Sequence, residues 1–355
     1  MAQPVKGARS VRPAISVVMP VYNGERFLAA AARSVLVQSF GDFELIVVND
    51  GSTDRTATVL QALCEEDRRI RVINQPTNAG IAAALNVGCR AATGEVIARM
   101  DADDITLPER FGRQIEFLNE NPDIGLLGAT VQTMDEEGRL GRIWPSPTSP
   151  GGVAWGLMFS TCVAHPTIMV RRRVLEQVGY YPLGYVVEDY ALLIRAIRVT
   201  RIANLPTVLH HYRIWNESFT QVQVAKNRHE RGFARVLLES VDALADVGGT
   251  EADVKLIRGL ARHEYPGSTV DIVRTHRLLQ ALRGFVSGLA PLRREDVREI
   301  ELDVGVRLWL LAALALKARS PQLSWSLALE AIKASPGSAM VFAKKSVRRV
   351  TGGRR

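Results

Sequence analysis

The stretch Ala98-Arg99-Met100-Asp101-Ala102-Asp103-Asp104 sets three carboxylates in four residues at the end of an apolar run, Glu95 to Met100. A strand alternates its side chains with period two, so Asp101 and Asp103 leave a strand terminus on one side and Asp104 on the other. Carboxylates that close repel, and each is driven towards the neutral acid unless a cation lies between them. A divalent metal with oxygen preference keeps both ionised. The alternative is a polar turn after a buried strand, which is what an isolated acidic triplet usually means. Glu188-Asp189 is a second acidic pair. Acidic residues of this kind are favoured at a helix N-terminus. Asp50, after the second apolar run, can cap a helix.

Elements that place these residues can be read from the order of apolar runs. Ile15 to Pro20 predicts a buried parallel strand, followed after Asn23-Gly24 by a helix from about Glu25 to Gln38. Phe43 to Val48 predicts a second strand, and Ser52 and Thr53 are N-cap candidates for a helix from Asp54 to Glu66. Ile70 to Ile73, a helix from Ile81 to Ala92 and the strand ending in the acidic cluster complete the alternation. Such alternation implies an α/β sheet with mostly parallel neighbours, and in these sheets ligands gather beyond the carboxyl ends of the strands. Those ends carry Pro20 to Asn23, Asn49 to Ser52, Asn74 to Gly80 and Asp101 to Asp104. None has GxGxxG or GxxxxGK[ST], so a dinucleotide fold or a P-loop NTPase is poorly supported.

Further on, a helix is expected from Ile105 to Asn121, a strand from Ile124 to Met134, a loop from Pro145 to Gly152 and a strand from Thr167 to Val170. A helix from Tyr190 to Val199 and a strand from Ile202 to Tyr212 end this part. Beyond Gln221 the pattern is helical, with Leu308 to Lys317 and Leu323 to Ala334 forming a hairpin. The expected organisation is a flexible tail over 1–13, an α/β domain over 14–220 and a helical region with a basic tail over 221–355.

Composition bounds the function. The formal charge is +8, and the surplus lies C-terminally, where 23 Lys and Arg face 14 Asp and Glu from Gln221 onwards. The last segment puts Met340, Ala343, Val347 and Val350 on one face with Lys344, Lys345, Arg348 and Arg349 beside them. That is either a basic interfacial helix or a solvated end helix with a core-facing stripe. No aromatic interleaving or known module supports a nucleic-acid partner. Three cysteines without metal-type or CxxC spacing read as buried thiols in a reducing compartment. No secretory signal is read at the N-terminus. The longest apolar run, Leu308 to Leu316, is far short of the roughly 20 residues a membrane span needs.

Several of these residues together carry a resemblance. Val18-Met19-Pro20-Val21-Tyr22-Asn23, Val47 to Asp54, Asn78-Ala79-Gly80 with Leu85-Asn86, Met100 to Asp104, and Glu188-Asp189 occur in the order and spacing of family 2 glycosyltransferases. The first 220 residues resemble that family. The resemblance implies a GT-A fold, Rossmann-like, with a mostly parallel central sheet flanked by helices. It also implies an inverting enzyme that moves a single sugar from a nucleotide-diphosphate sugar, UDP- or dTDP-linked, to an acceptor hydroxyl on a glycan or lipid-linked acceptor. Synthesis of bacterial cell-surface polysaccharide or glycolipid is the expected setting.

By position, the resemblance makes Pro20 and Tyr22 a wall for the base. Asp50 would be its hydrogen-bond acceptor, Asp101 a ribose and metal contact, and Asp103 the ligand of a Mg²⁺ or Mn²⁺ bridging the diphosphate. Asp189 would be the general base and Glu188 its supporting neighbour. His165 would line the acceptor side or be structural. Arg213 would pair with phosphate beneath a closing loop, Trp215 to Ser218, or end an exposed strand. One departure is Leu85, where some members carry Arg.

A processive synthase should add membrane helices and Gln-x-x-Arg-Trp, and neither is found. The non-enzymatic alternative is a nucleotide-sugar sensor or scaffold. The expected location is the cytoplasm, at the inner face of the plasma membrane if the basic helix docks there.

Overall fold

A computed structural model describes residues 12–215, 228–262 and 266–351, with the side chains of 261, 262 and 345–351 outside the description. The chain forms two compact units whose segments alternate. The first holds the described residues up to Ser146, then Val163–Gly184 and the described residues from Asn204 to Trp215. The second holds Pro147–Cys162, Tyr185–Ala203 and the described residues from 228 on. The division therefore does not fall at one point of the chain.

In the first unit β1 (Ile15–Val21), α1 (Leu28–Leu36), β2 (Phe43–Asp50), α2 (Thr56–Glu66), β3 (Ile70–Gln75), α3 (Ile81–Ala91) and β4 (Val96–Arg99) follow the expected alternation. Next come β5 (Ile105–Thr106), α4 (Arg110–Glu120), β6 (Ile124–Met134) and β7 (Leu140–Trp144). After a 3₁₀ turn, His165–Thr167, the unit continues with β8 (Met169–Arg171) and α6 (Arg172–Val178), and it takes most of β9 (Arg201–Arg213). Among the described residues these strands make one nine-stranded sheet ordered β3-β2-β1-β4-β8-β6-β9-β5, with β7 on β6.

Strands β1 to β4 pair in parallel, whereas β8 runs antiparallel to both β4 and β6. The β1 residues Val17, Val18 and Met19 and the β2 residues Leu45 to Val48 are fully buried, which explains their unbroken apolar runs. Helix α3 lies against them through Gly88, where a Cβ would meet Val18 Cγ1 at 2.4 Å. From β1 the chain moves outward to β2 and β3 and then returns to the other side of β1 as β4. The strand order thus reverses between β1 and β4, the place where open α/β sheets hold ligands.

The structure corrects several local readings. Ile105–Thr106 is a short strand pairing antiparallel with His211 and His210, so the helix expected from Ile105 begins at Arg110. Thr167 belongs to the 3₁₀ turn, and the strand expected there begins at Met169. The Pro145 to Gly152 loop contains a helix start. Ser149 accepts from the Gly152 N–H and Pro150 occupies the first turn of α5 (Pro150–Gly156), where its missing N–H costs nothing. Neither Ser52 nor Thr53 caps α2. Asp54 accepts from the Thr56 N–H instead, and Ser52 Oγ accepts from the Asn23 N–H. Cys64 is exposed rather than buried.

The second unit contains α5, α7 (Glu188–Ala196) and the helices that follow, and Tyr190 stacks on Phe233 with centroids 3.9 Å apart. The expected hairpin is present as the longer helices Arg294–Lys317 and Pro321–Ala334. In the last helix, Ser338–Thr351, Met340 and Ala343 are exposed rather than facing a core. The side chains of Lys345, Val347, Arg348, Arg349 and Val350 lie outside the described residues, as does the tail over 1–11. Among the described residues no helix is long and apolar enough to cross a membrane.

Candidate functional site

The carboxyl ends of β1, β2 and β3 are laced together by short polar side chains. Asn23, held at φ 49°, accepts from the Thr53 N–H at 2.8 Å, and Asn49 donates to Asn74 Oδ1 at 3.0 Å. Gly51 sits at φ 68°, and a Cβ there would lie 2.5 Å from the Thr77 backbone, so only glycine lets the two loops approach. Buried Asp50 accepts from Gln75 Nε2 at 2.7 Å and from the Ala79 and Gly80 N–H groups at 2.9 Å. It ties the loop that leads into α3 to the end of β2 without capping that helix. The helix-cap reading of Asp50 is thus corrected to a tie between loops, and its three hydrogen bonds leave a lone pair, since a carboxylate has about four lone-pair sites. Pro20 is buried in β1 and Tyr22 is 50% exposed just beyond it. Leu85 is fully buried, so an Arg there would not fit the same packing.

Beyond β4 the acidic loop runs between two anchors. At its start the Met100 N–H donates to Val18 O, and at its end β5 pairs with β9. One side-chain oxygen from each of Asp101, Asp103 and Asp104 lies within 4.8 Å of the other two. The three are not equivalent. Asp104 is buried and both its oxygens are taken, Oδ2 by His210 Nε2 at 2.8 Å and Oδ1 by the Arg213 N–H at 2.7 Å. Asp101 Oδ2 is paired with the Arg99 guanidinium, and Asp103 Oδ2 accepts from Trp215 Nε1 at 2.8 Å. Oδ1 of Asp101 and Oδ1 of Asp103 accept from none of the described residues. Two carboxylates with one open oxygen each, a few ångströms apart, fit a hard divalent cation.

Electrostatics agree with that geometry. Burial, then the charges of Asp104 and Asp101, push the Asp103 pKa up to about 7. Burial and Asp101 raise Asp104 well above its ordinary value. Burial works to lower Arg99, but Asp101 outweighs it and the guanidinium stays firmly charged. Below it lies a second buried arginine, Arg110, which burial and Arg99 bring down to about 9. Arg110 donates to Arg99 O at 2.8 Å and to Gln114 Oε1 at 3.0 Å. Gln114 in turn donates to Thr167 O at 2.9 Å, so this pair supports the backbone under the acidic loop.

His165 lies 3.1 Å from the Tyr181 hydroxyl through Nε2, and burial and then Arg99 keep the ring neutral. Arg213 is not an exposed strand end. It is buried, and it donates to Asp103 O at 2.7 Å and to the Asp135 and Glu136 carbonyls of the β6–β7 turn. Glu188 and Asp189 belong to the second unit, where they form the first turn of α7, with Glu188 buried and Asp189 partly so. The expected closing loop lies outside the described residues after Trp215.

The first unit thus brings Pro20, Tyr22, Asp50, Asp101 and Asp103 to the ends of adjacent strands, with His165 in the turn before β8. Sequence reasoning missed Arg99 and Arg110 in this arrangement, and it missed the contacts that His210 and Trp215 make with the acidic loop, though it set Trp215 in a closing loop nearby. Arg99 carried a signal, because it stands two residues before Asp101 and so shares its side of the strand. Trp215 and His210 carried none, as both reach the loop only through the pairing of β5 with β9.

Comparison with known proteins adds independent findings. A family model described as Glycosyl transferase family 2 matches residues 16–179. The O-antigen biosynthesis glycosyltransferase WbnJ of Escherichia coli is 31% identical over 58% of the chain and 81% of WbnJ. Among solved structures, residues 1–349 of S. aureus TarS in complex with UDP-GlcNAc superpose with TM-score 0.54 at 20% identity, over 88% of the chain and 90% of TarS 1–349. The mannosyltransferase PcManGT of Pyrobaculum calidifontis, in complex with GDP-Man and Mn²⁺, gives 0.53 at 15% identity, over 91% and 88%.

Proposed function

The chain belongs to glycosyltransferase family 2 and has the GT-A fold of its structural neighbours, and from that premise we propose that it is a metal-dependent, inverting transferase using a nucleoside-diphosphate sugar. One observation carries the reading: Asp101 and Asp103 sit at the strand-order reversal, each with one oxygen pinned and one open. These two residues would hold Mg²⁺ or Mn²⁺, and Asp104, buried and with a donor on each oxygen, is the least open of the three. When bound, the ion supplies Lewis-acid stabilisation of the departing diphosphate.

The protein's own residues do the rest. Tyr22 offers an exposed ring at the end of β1 for a base to pack on, and Asp50 keeps a lone pair for a base N–H, which favours UDP- or dTDP-linked donors. Asp189 takes the proton of the acceptor hydroxyl as its oxygen attacks from the face opposite the leaving group, and Glu188 supports the same helix turn. His165, held neutral, can line the acceptor side as a hydrogen-bonding group. The name of WbnJ supports a role in cell-surface polysaccharide assembly, with a glycan or lipid-linked acceptor.

The C-terminal helices support a peripheral position at the inner face of the plasma membrane. Trp325, Leu329 and Ile332 are exposed at helical spacing, and residues 321–351 carry five Lys and Arg against one Glu. An apolar stripe with basic neighbours fits an anionic bilayer surface.

Donor sugars screened for thermal stabilisation with Mn²⁺ test the reading. A UDP- or dTDP-sugar should raise the melting temperature, and transfer or slow hydrolysis of it should vanish in excess chelator and in Asp103→Ala. Full activity in chelator would refute the metal assignment.

A further inference from the structure

We propose that Trp215 is a positioning residue for Asp103, its indole N–H fixing the carboxylate so that one oxygen stays turned into the metal site. The inference rests on the metal-dependent reading above and gives Trp215, placed by the resemblance only in a closing loop, a contact with a metal ligand.

The Asp103 side chain stands in a loop, not in a strand, so nothing in the backbone ladder fixes its carboxylate rotation. Trp215 Nε1 does so from 2.8 Å. Tryptophan suits the task because it is a donor only, carries no charge and cannot itself compete for the anion as Lys or Arg would. The indole is held in turn. Its ring meets Phe27 edge-on with centroids 5.4 Å apart, and the opposing Phe27 ring carries the Arg213 guanidinium at 4.3 Å and that of Arg26 at 4.6 Å. Arg26 is tied to Glu136 at 2.7 Å, and Arg213 donates to the Glu136 carbonyl at 3.0 Å. Arg213 also grips the Asp103 carbonyl. The end of β9 therefore holds the same residue by backbone and side chain at once.

Asp101 provides the matching half. Its Oδ2 is pinned by buried Arg99, as Asp103 Oδ2 is pinned by Trp215. Each ligand keeps one oxygen in reserve. A carboxylate pinned in this way presents a single oxygen and loses little rotational freedom on binding, which is how partners behind the ligands raise metal affinity.

The test uses the full chain and Mn²⁺, with the free ion followed by electron paramagnetic resonance. Trp215→Phe keeps a ring against Phe27 and loses the N–H. It should bind Mn²⁺ about ten- to a hundred-fold more weakly, while its melting temperature in chelator stays close to that of the wild type. Equal Mn²⁺ affinity in the two proteins would overturn the inference alone. No Mn²⁺ binding by the wild type, with or without UDP, would overturn the metal reading and this inference with it. Should Trp215→Phe not fold, the wild-type chain decides. The ¹⁵N indole resonance that moves in Asp103→Asn identifies Trp215, and it must also move as Mg²⁺ is added; a resonance unmoved by Mg²⁺ would refute the assignment.

Discussion

Two sets of aspartates in this chain meet burial in opposite ways. In the helical unit, Asp253 accepts from the Thr250 N–H and hydroxyl, both at 2.7 Å, and from Arg274 at 2.8 Å. Asp296 accepts from the Gly151 and Arg293 N–H groups and from buried Arg201 at 2.8 Å. Burial raises the Asp253 pKa, but its donors outweigh that and the net shift is downward. In the sheet unit, Asp103 and Asp104 lie beside another carboxylate and both are shifted upward. The first arrangement stabilises a fold. The second works against it in the absence of a cation, which is the mark of residues placed for binding.

The comparison can be broken in three ways. The largest effect concerns the second unit's own chemistry, because Asp189 is the one acid there assigned to proton transfer. Asp189→Asn should lower turnover by about 10²- to 10⁴-fold while donor affinity, measured by titration calorimetry, stays nearly intact. Equal loss of both would make Asp189 a helix-start residue like any other.

Next in size are opposite stability changes at the two sets. In chelator at pH 8, Asp253→Asn should cost about 1–3 kcal/mol of folding stability, whereas Asp103→Asn should stabilise the protein by removing a like charge. The pH dependence distinguishes them further. The folded-state pKa of Asp103 is raised to about 7, so its contribution is full below the unfolded value, about 4, and is lost as pH rises through 7. The Asp253 pKa is lowered, so its contribution is present above about 4 and is lost as pH falls. Thermal melts of the two variants between pH 4 and 8, at intervals of about one unit, should therefore diverge from the wild type in opposite directions.

The smallest effect tests the helical unit's surface. Binding to anionic liposomes should weaken with salt and with removal of the residues after Ser338. A truncated chain that sediments with liposomes as fully as the intact one would remove the basic helix from the account.

Much of the first unit was legible because parallel strands buried on both faces read as unbroken apolar runs, and β1 and β2 lie where Ile15 and Phe43 begin such runs. The short strand β5 was not legible. Two residues carry no periodicity, and only the pairing of Ile105 with His211 makes them a strand. The start of α5 was written in Ser149-Pro150, yet the same pair also reads as a loop.

By itself the sequence determined the order of strand and helix, the turn chemistry at the strand ends and the presence of three carboxylates in four residues. Those depend on local periodicity and residue type. Only the tertiary structure decided which carboxylates keep an open oxygen, because three of the four partners are distant in the chain and Arg99 alone is local. Arg213 and His210 occupy Asp104, and Trp215 and Arg99 each occupy one oxygen of Asp103 and Asp101. Hydrogen bonds of this kind are made by whatever groups the sheet brings within 3 Å or so, and sheet order is not written in any one segment.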